Sequence, residues 1–177
     1  MNLPNKLTVL RVCLIPLFLI LYPYAPLGDP LSRYLALAVF VIAAVTDALD
    51  GYIARSRNLV TNFGKLMDPL ADKLLVTAAL VAMVQGAELP AWVVAIIISR
   101  EFLITGFRML ALEKNIVIAA SAWGKAKTIS QMLMIIFVLL NVLPELAETM
   151  LAAVATLLTL ISAVDYVLKN KSLLKDL

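Results

Sequence analysis

Apolar and polar positions follow one another along the chain in long blocks rather than in short periods. Six apolar blocks, each near the roughly 20 residues that a membrane-crossing helix needs, are separated by polar or turn-forming segments. Residues 2–8 mix polar and apolar side chains and predict a short N-terminal interfacial helix. We therefore predict an all-α integral membrane protein with six transmembrane helices at about Leu7–Tyr22, Tyr34–Ala54, Leu66–Val84, Ala91–Leu112, Lys127–Leu143 and Thr149–Leu168.

Turn-forming residues mark the expected ends of these helices. Pro69 suits the first turn of a helix, so the third helix is expected to begin close to Asp68 or to kink there. Residues 85–90, 113–128 and 144–148 are expected to be connections.

Composition supports a membrane protein and excludes two kinds of site. Of the 177 residues, 63% are hydrophobic and 15% charged, which is more apolar than a soluble domain, and we expect one domain over residues 1–177. Cys13 is the lone cysteine and histidine is absent, so a disulfide framework and a Cys–His metal site are both excluded. Arg11 and Pro16 interrupt the first apolar block and no clear cleavage site follows, so we expect the first helix to be retained.

Basic residues are concentrated on one side of the predicted bundle. Six spans put both termini on the same side, and 14 of the 15 Lys and Arg residues are assigned to it. Arg33 lies in an opposite-side loop, and that side also carries Asp29, Glu88, Glu145 and Glu148. By the positive-inside rule, both termini and the polar cavity that we expect the helices to enclose face the cytoplasm, in the cell (plasma or inner) membrane.

Four aspartates in the middle of the chain are candidate metal ligands: Asp47, Asp50, Asp68 and Asp72. Positions three and four apart share a helix face, so the first two share a face of one helix and the last two a face of the next. Gly51 and Ala54 continue the first face, where a ligand can approach the backbone. Four carboxylates in a low-dielectric layer need protons or cations, and hard oxygen donors suit Mg²⁺, Mn²⁺ or Ca²⁺. The alternative is a set of structural salt bridges with Arg55, Lys65 and Lys73.

Four basic residues near the fourth and fifth spans are candidates for a cationic pocket: Arg100, Arg108, Lys125 and Lys127. The two arginines are eight residues apart and share a helix face, and the two lysines enter the fifth helix from the same side. The alternative is that they extend to lipid headgroups. Glu101 is expected either to orient an arginine or to face the same cavity, and Asp165 is expected to be a structural partner for a cation.

The aspartates belong to a motif of eight positions over 26 residues. Its spacing is D-x2-D-G-x2-A-R-x8-G-x3-D-x3-D, filled by Asp47, Asp50, Gly51, Ala54, Arg55, Gly64, Asp68 and Asp72. This spacing resembles the signature of the CDP-alcohol phosphotransferase family, with every position matched. The segments SREFLITGFR and WGKAKT resemble those of the phosphatidylglycerophosphate synthases within that family, and PNKLTVLR resembles its amino-terminal segment. The resemblance covers most of the chain in matching order.

The resemblance implies transfer of the phosphatidyl group from CDP-diacylglycerol to sn-glycerol 3-phosphate, giving phosphatidylglycerophosphate and CMP, with two Mg²⁺ or Mn²⁺ ions. Asp47 and Asp68 would bridge the metals, with Asp50 and Asp72 each completing one side. Asp72 would also accept the proton of the acceptor hydroxyl. The donor would contact Asn5, Thr8, Gly51, Ala54, Arg55, Thr61 and Gly64. The acceptor phosphate would contact Lys65, Arg100, Arg108, Lys125 and Lys127. Homodimers are common in the family, so we expect a homodimer surrounded by membrane lipids and no nucleic-acid partner.

Two alternatives remain at the level of sequence. Within the family, the acceptor could be serine, inositol phosphate or a second lipid, although clustered arginines favour a phosphorylated alcohol. Outside the enzymes, a small cation transporter also places aspartates in the membrane, but such proteins often have internal repeats, which we do not find here.

Overall fold

A computed structural model describes the backbone of residues 3–24, 30–56, 62–113, 116, 118 and 121–171, and side chains within 7–22, 30–46, 73–111, 116, 118 and 121–171. The regular structure of the described residues is helical. The helices are α1 Leu3–Tyr24, α2 Pro30–Ser56, α3 Asn62–Gln85, α4 Ala91–Glu113, α5 Ala122–Leu140 and α6 Glu145–Lys169. The all-α prediction is therefore confirmed.

The helices form two compact units, Met1–Glu88 with α1 to α3 and Leu89–Leu177 with α4 to α6. The expectation of one domain over residues 1–177 stays a prediction.

In the first unit, α1 packs against both α2 and α3. Phe18 of α1 and Phe40 of α2 are fully buried, and their ring centroids lie 6.3 Å apart. Ala36, Ala43 and Ala79 have no exposed surface, which lets the neighbouring helix backbones approach closely.

One end of this unit is fixed by charge and aromatic contacts. Arg33 at the start of α2 forms an ion pair with Glu88, which follows α3, and its guanidinium lies 5.9 Å from the centre of the Tyr22 ring near the end of α1. The ends of α1 and α3 therefore meet the beginning of α2. This makes α2 antiparallel to both neighbours, and the opposite end gathers the start of α1, the end of α2 and the start of α3.

In the second unit, α6 packs against α4 and α5. Ile135 and Leu139 of α5 and Ala155 of α6 are fully buried. A polar contact accompanies this packing, because the Gln131 side-chain amide donates to the Thr159 hydroxyl over 3.0 Å. In a membrane, lipid tails are as apolar as the side chains, so burial of apolar surface does little to hold helices together. Hydrogen bonds between helices, such as this one, then contribute to their association.

Two predicted helix beginnings in the first unit are wrong. The residues expected to form a separate interfacial helix are instead the first turns of α1, which is continuous from Leu3. Pro4 is compatible with this start, because the N–H that proline lacks would have no partner within the first turn of a helix. α3 begins at Asn62 rather than near Asp68 and is helical through Pro69, so the expected start is wrong, and the alternative of a kink at this point stays a prediction. Proline lacks the N–H that would reach the carbonyl of residue 65, and the rest of the helix tolerates that loss.

The last two helices also begin earlier than predicted. Ser121 caps α5, since its hydroxyl accepts a hydrogen bond from the Gly124 N–H over 3.1 Å, so Lys125 and Lys127 lie within this helix. α5 ends at Asn141, whose left-handed backbone (φ 51°) stops the helix. α6 starts directly after Pro144, with Glu145 and Glu148 in its first turn, where the helix dipole favours acidic residues.

Among the described residues, α5 and α6 are long and apolar enough to cross a membrane, judged by length and composition. Shorter apolar segments cover Leu7–Tyr22, Pro30–Thr46 and Lys73–Gln85. α4 carries Arg100, Glu101 and Arg108, so its apolar character is interrupted.

Candidate active site

The buried face of α2 leads directly into the aspartate motif. Ser32, Ala36, Phe40 and Ala43 are buried and lie four, four and three residues apart. The same steps continue to positions 47, 50 and 54, which are Asp47, Asp50 and Ala54. Helical spacing therefore predicts that the first two aspartates continue the α2 face that packs in the first unit.

The corresponding faces of the two neighbouring helices lead to the same end. On α3, buried Leu75, Ala79 and Ala82 continue backwards to positions 72 and 68, the remaining two aspartates. On α1, fully buried Phe18 is followed, towards the N-terminus, by buried Arg11 and Thr8 and then by position 5, Asn5. Because this end gathers the start of α1, the end of α2 and the start of α3, the three faces bring the predicted site positions to one end of the unit.

The side chains of Asn5, Lys65 and the motif residues lie outside the described ones, and Thr61 lies outside the described backbone. Among the side chains that are described, no group of three acidic or cysteine residues could hold a metal ion. The metal-ligand assignment stays a prediction.

In the second unit, Glu101 joins two of the predicted acceptor residues. Its carboxylate forms an ion pair with the ammonium group of Lys127, which is 3% exposed, and lies 3.5 Å from the Arg100 guanidinium. Arg100 also donates to the hydroxyl of buried Ser162 over 2.5 Å. Arg100 and Lys127 are therefore engaged in contacts between helices, and their assignment to the acceptor phosphate stays a prediction.

Arg108 and Lys125 differ from this pair because both are exposed. Phe107, beside Arg108, packs edge-on against Tyr166 with ring centroids 5.7 Å apart. A cavity of about 590 Å³ between α4 and α6 is lined by Arg100 and Tyr166 and otherwise mainly by apolar side chains such as Leu103. An apolar wall does not stabilise a doubly charged phosphate, so this cavity is a poor candidate for the acceptor site.

The expected cation partner of Asp165 is present. Its carboxylate forms a 2.7 Å salt bridge with Lys169, one turn later on α6. The expectation that Glu101 orients an arginine is met by its 3.5 Å contact with Arg100. Sequence reasoning did not find the contact of Glu101 with Lys127 or that of Arg100 with Ser162, because these partners are 26 and 62 residues further along the chain. It also assigned no role to Arg11, although a charge inside an apolar block is a signal that could have been followed.

Comparison with known proteins identifies the family. The family model described as CDP-alcohol phosphatidyltransferase matches residues 1–163. The chain belongs to the CDP-alcohol phosphatidyltransferase family. It is therefore an enzyme of a family that is generally dependent on divalent cations.

Relatives in the CDP-alcohol phosphatidyltransferase family match the chain over nearly its whole length. A protein of Bacillus subtilis named CDP-diacylglycerol–glycerol-3-phosphate 3-phosphatidyltransferase is 46% identical, with 98% of this chain and 97% of the relative covered. A protein of Haemophilus influenzae with the same name is 41% identical, over 99% of this chain and 96% of the relative. A Mycobacterium tuberculosis protein named probable phosphatidylglycerophosphate synthase is 40% identical, over 94% of this chain and 80% of the relative.

Proposed function

We propose that this enzyme transfers the phosphatidyl group of CDP-diacylglycerol to sn-glycerol 3-phosphate, giving phosphatidylglycerophosphate and CMP. The observation that carries the proposal is the complete eight-position aspartate motif, in a chain whose near full-length relatives bear that activity in their names. A new P–O bond forms between the acceptor hydroxyl and the phosphorus that carries diacylglycerol. The P–O bond to CMP breaks, and the hydroxyl proton leaves.

The proposed site is suited to two divalent cations, Mg²⁺ or Mn²⁺. Its donor set consists of carboxylates, which such hard cations prefer, and helical spacing would put these on the packing faces of α2 and α3. When bound, the cations would neutralise the donor diphosphate and brace the attacking and leaving oxygens. Asp47 and Asp68 would bridge them, with Asp50 and Asp72 completing either side.

The remaining motif residues would bind and orient the donor. Gly51 and Ala54 leave space along the α2 face because they carry little or no side chain. Arg55 would contact the donor phosphates, where a guanidinium can donate two parallel hydrogen bonds. Asn5, Thr8, Thr61 and Gly64 would line the cytidine side. Asp72 would take the proton from the acceptor hydroxyl as the new bond forms.

The acceptor phosphate would be held by basic residues. Arg108 and Lys125 are the preferred candidates because both are exposed, with Lys65 as a third. Arg100 and Lys127 would act more indirectly, since Glu101 already contacts both cations.

The proposed setting is the cell membrane, with six spans, a polar cavity open to the cytoplasm and both termini on that side. The distribution of basic residues supports this orientation, and the apolar length of α5 and α6 supports insertion. A homodimer surrounded by membrane lipids is proposed on the family resemblance. Nothing in the comparisons favours the cation-transporter alternative.

The deciding experiment measures CMP release by the purified protein from CDP-diacylglycerol. We expect release only with Mg²⁺ or Mn²⁺ and with glycerol 3-phosphate, across a panel that also contains serine, inositol phosphate and a second lipid. Release with another member of the panel would reassign the acceptor. An absence of release with every acceptor would overturn the proposed reaction.

A further inference from the structure

Arg11 of α1 has no exposed surface, which is unusual for a residue that carries a permanent charge. Its guanidinium cannot lose its proton under ordinary conditions, so it cannot become neutral to suit a buried position. A buried cation of this kind needs an anionic partner close by. The position of Arg11 along α1 indicates where that partner lies.

The contact between Phe18 and Phe40 sets the register of α1 against α2. Arg11 lies seven residues before Phe18, and Asp47 lies seven residues after Phe40. Seven residues make about two helical turns, so each position shares the face of its phenylalanine and lies about 10 Å further along. Because the two helices run antiparallel, both steps lead in the same direction. Arg11 and Asp47 therefore occupy facing positions at the same depth.

The acidic residues of the first unit leave few alternatives. Residues 1–88 contain six of them, and four are the motif aspartates. Glu88 forms an ion pair with Arg33 at the opposite end of the unit, and Asp29 precedes α2 at that same end. Within residues 1–88, the acidic residues whose positions lie towards the end where Arg11 lies are therefore the four motif aspartates.

We propose that Arg11 is a positioning residue of the aspartate site, whose fixed charge compensates the Asp47 carboxylate. It lowers the repulsion among the four carboxylates before cations bind and holds Asp47 on the face shared with Asp50. This proposal deepens the proposed function and rests on the aspartates forming its site. Its test is carried out without substrate, so the two can fail separately.

The test is a double-mutant cycle on the thermal unfolding of the purified full-length chain in EDTA. Arg11→Met should lower the metal-free Tm by at least about 6 °C, since it removes the charge that compensates the motif carboxylates. Asp47→Asn in the Arg11→Met background should recover a large part of that loss. The matched control is Arg33→Met with Asp47→Asn, whose effects should add because Arg33 lies at the other end. Additive effects for Arg11 and Asp47 as well would overturn the proposal.

Two further measurements separate positioning from simple packing. Saturating Mg²⁺ should raise the Tm of Arg11→Met more than that of the unmodified chain, because the cations then relieve repulsion that Arg11 normally relieves. An equal rise in both would contradict the proposal. Arg11→Lys retains the charge and should keep most of the metal-free stability. An Arg11→Lys protein as unstable as Arg11→Met, including failure of both to fold, would show that shape rather than charge is required.

Discussion

Individual carboxylates are where the proposed chemistry is most sensitive to substitution. Asp47 and Asp68 are the proposed bridging ligands, so replacing either with asparagine would weaken both cations together. Asparagine is nearly the same size as aspartate, so either substitution should leave the packing of α2 and α3 intact. The loss should therefore be confined to cation binding.

Asp47→Asn or Asp68→Asn should therefore abolish turnover while leaving a folded membrane protein. The measurement is CMP release at saturating Mg²⁺, with folding checked by gel filtration in detergent. Asp165→Asn is the matched control and should retain activity, because Asp165 pairs with Lys169 on α6. A bridging variant that kept more than about a tenth of the activity, a loss of only ~1.4 kcal/mol in barrier, would contradict the two-metal proposal.

Arg108 provides the residue-scale test of the acceptor. Arg108→Ala should raise the KM for glycerol 3-phosphate on the order of tenfold or more, because about 1.4 kcal/mol or more of charge-assisted binding is lost. The KM for CDP-diacylglycerol should change little, since its diphosphate would be held by metals. Steady-state kinetics with each substrate varied in turn measures both.

Arg108→Lys should recover part of this loss if the contact is bidentate. Arg33→Ala is a control at an arginine that already has an ion-pair partner, and it should leave both KM values unchanged. An Arg108→Ala enzyme with a raised donor KM and a normal acceptor KM would move Arg108 to the donor site.

At the scale of the helices, the contact between Glu101 and Lys127 connects α4 with α5. Removal of Lys127 is destabilising because it leaves the Glu101 carboxylate with the Arg100 guanidinium, 3.5 Å away, as its remaining described cation partner. Lys127→Met should lower stability by roughly 3 kcal/mol, the lower end for breaking a buried pair, or on the order of 10 °C in Tm. The double variant with Glu101→Gln should lose less than the sum of the single losses. Thermal unfolding in detergent measures all of these.

The control pair is Asp165→Asn with Lys169→Met, which should change the Tm little because Lys169 is exposed. If Lys127→Met were as mild as this control, Lys127 would be free for another role, and the acceptor assignment would gain support.

The helices themselves were largely predictable, and their beginnings were less so. Long apolar blocks indicate a long helix whatever surrounds them, and α4 begins at Ala91, where the fourth span was predicted to begin. The start of α5 was missed because its cap is one serine, Ser121, in an otherwise unremarkable polar segment. The start of α3 was missed because Pro69, which suits the first turn of a helix, suggested a start near Asp68, whereas the helix already begins at Asn62.

The site was predictable as a set of positions but not as a set of contacts. The spacing of Asp47 and Asp50 places them on one face by periodicity alone, and the same spacing leads to these positions from the buried α2 face that ends, among the described side chains, at Ala43. No periodicity predicts that Glu101 contacts Lys127 or that Arg100 donates to Ser162. Such contacts depend on how distant helices are aligned, and that information is absent from local sequence patterns.

For the whole molecule, orientation in the membrane is the main testable expectation. In a Cys13→Ala background, cysteines introduced at Asn2 or Ser172 should react with an impermeant reagent only after the cytoplasmic face is opened. Ala87→Cys, in the exposed turn after α3, should react in intact cells and serves as the control. Labelling of either terminus from outside would overturn the cytoplasmic orientation.

The pairing of Glu101 with Lys127 makes α4 dependent on a helix that the ribosome produces later. In the proposed six-span arrangement, α4 presents Glu101 and Arg100 to the insertion machinery before Lys127 of α5 and Ser162 of α6 have been made, and charges near a helix centre each oppose insertion by about 2.5–3.5 kcal/mol. We expect a nascent chain that stops after α4 to insert this helix poorly and the complete chain to insert it well. Glycosylation acceptor sites placed on either side of α4 would report the difference. Stable insertion of α4 would then begin only after α5 has been made.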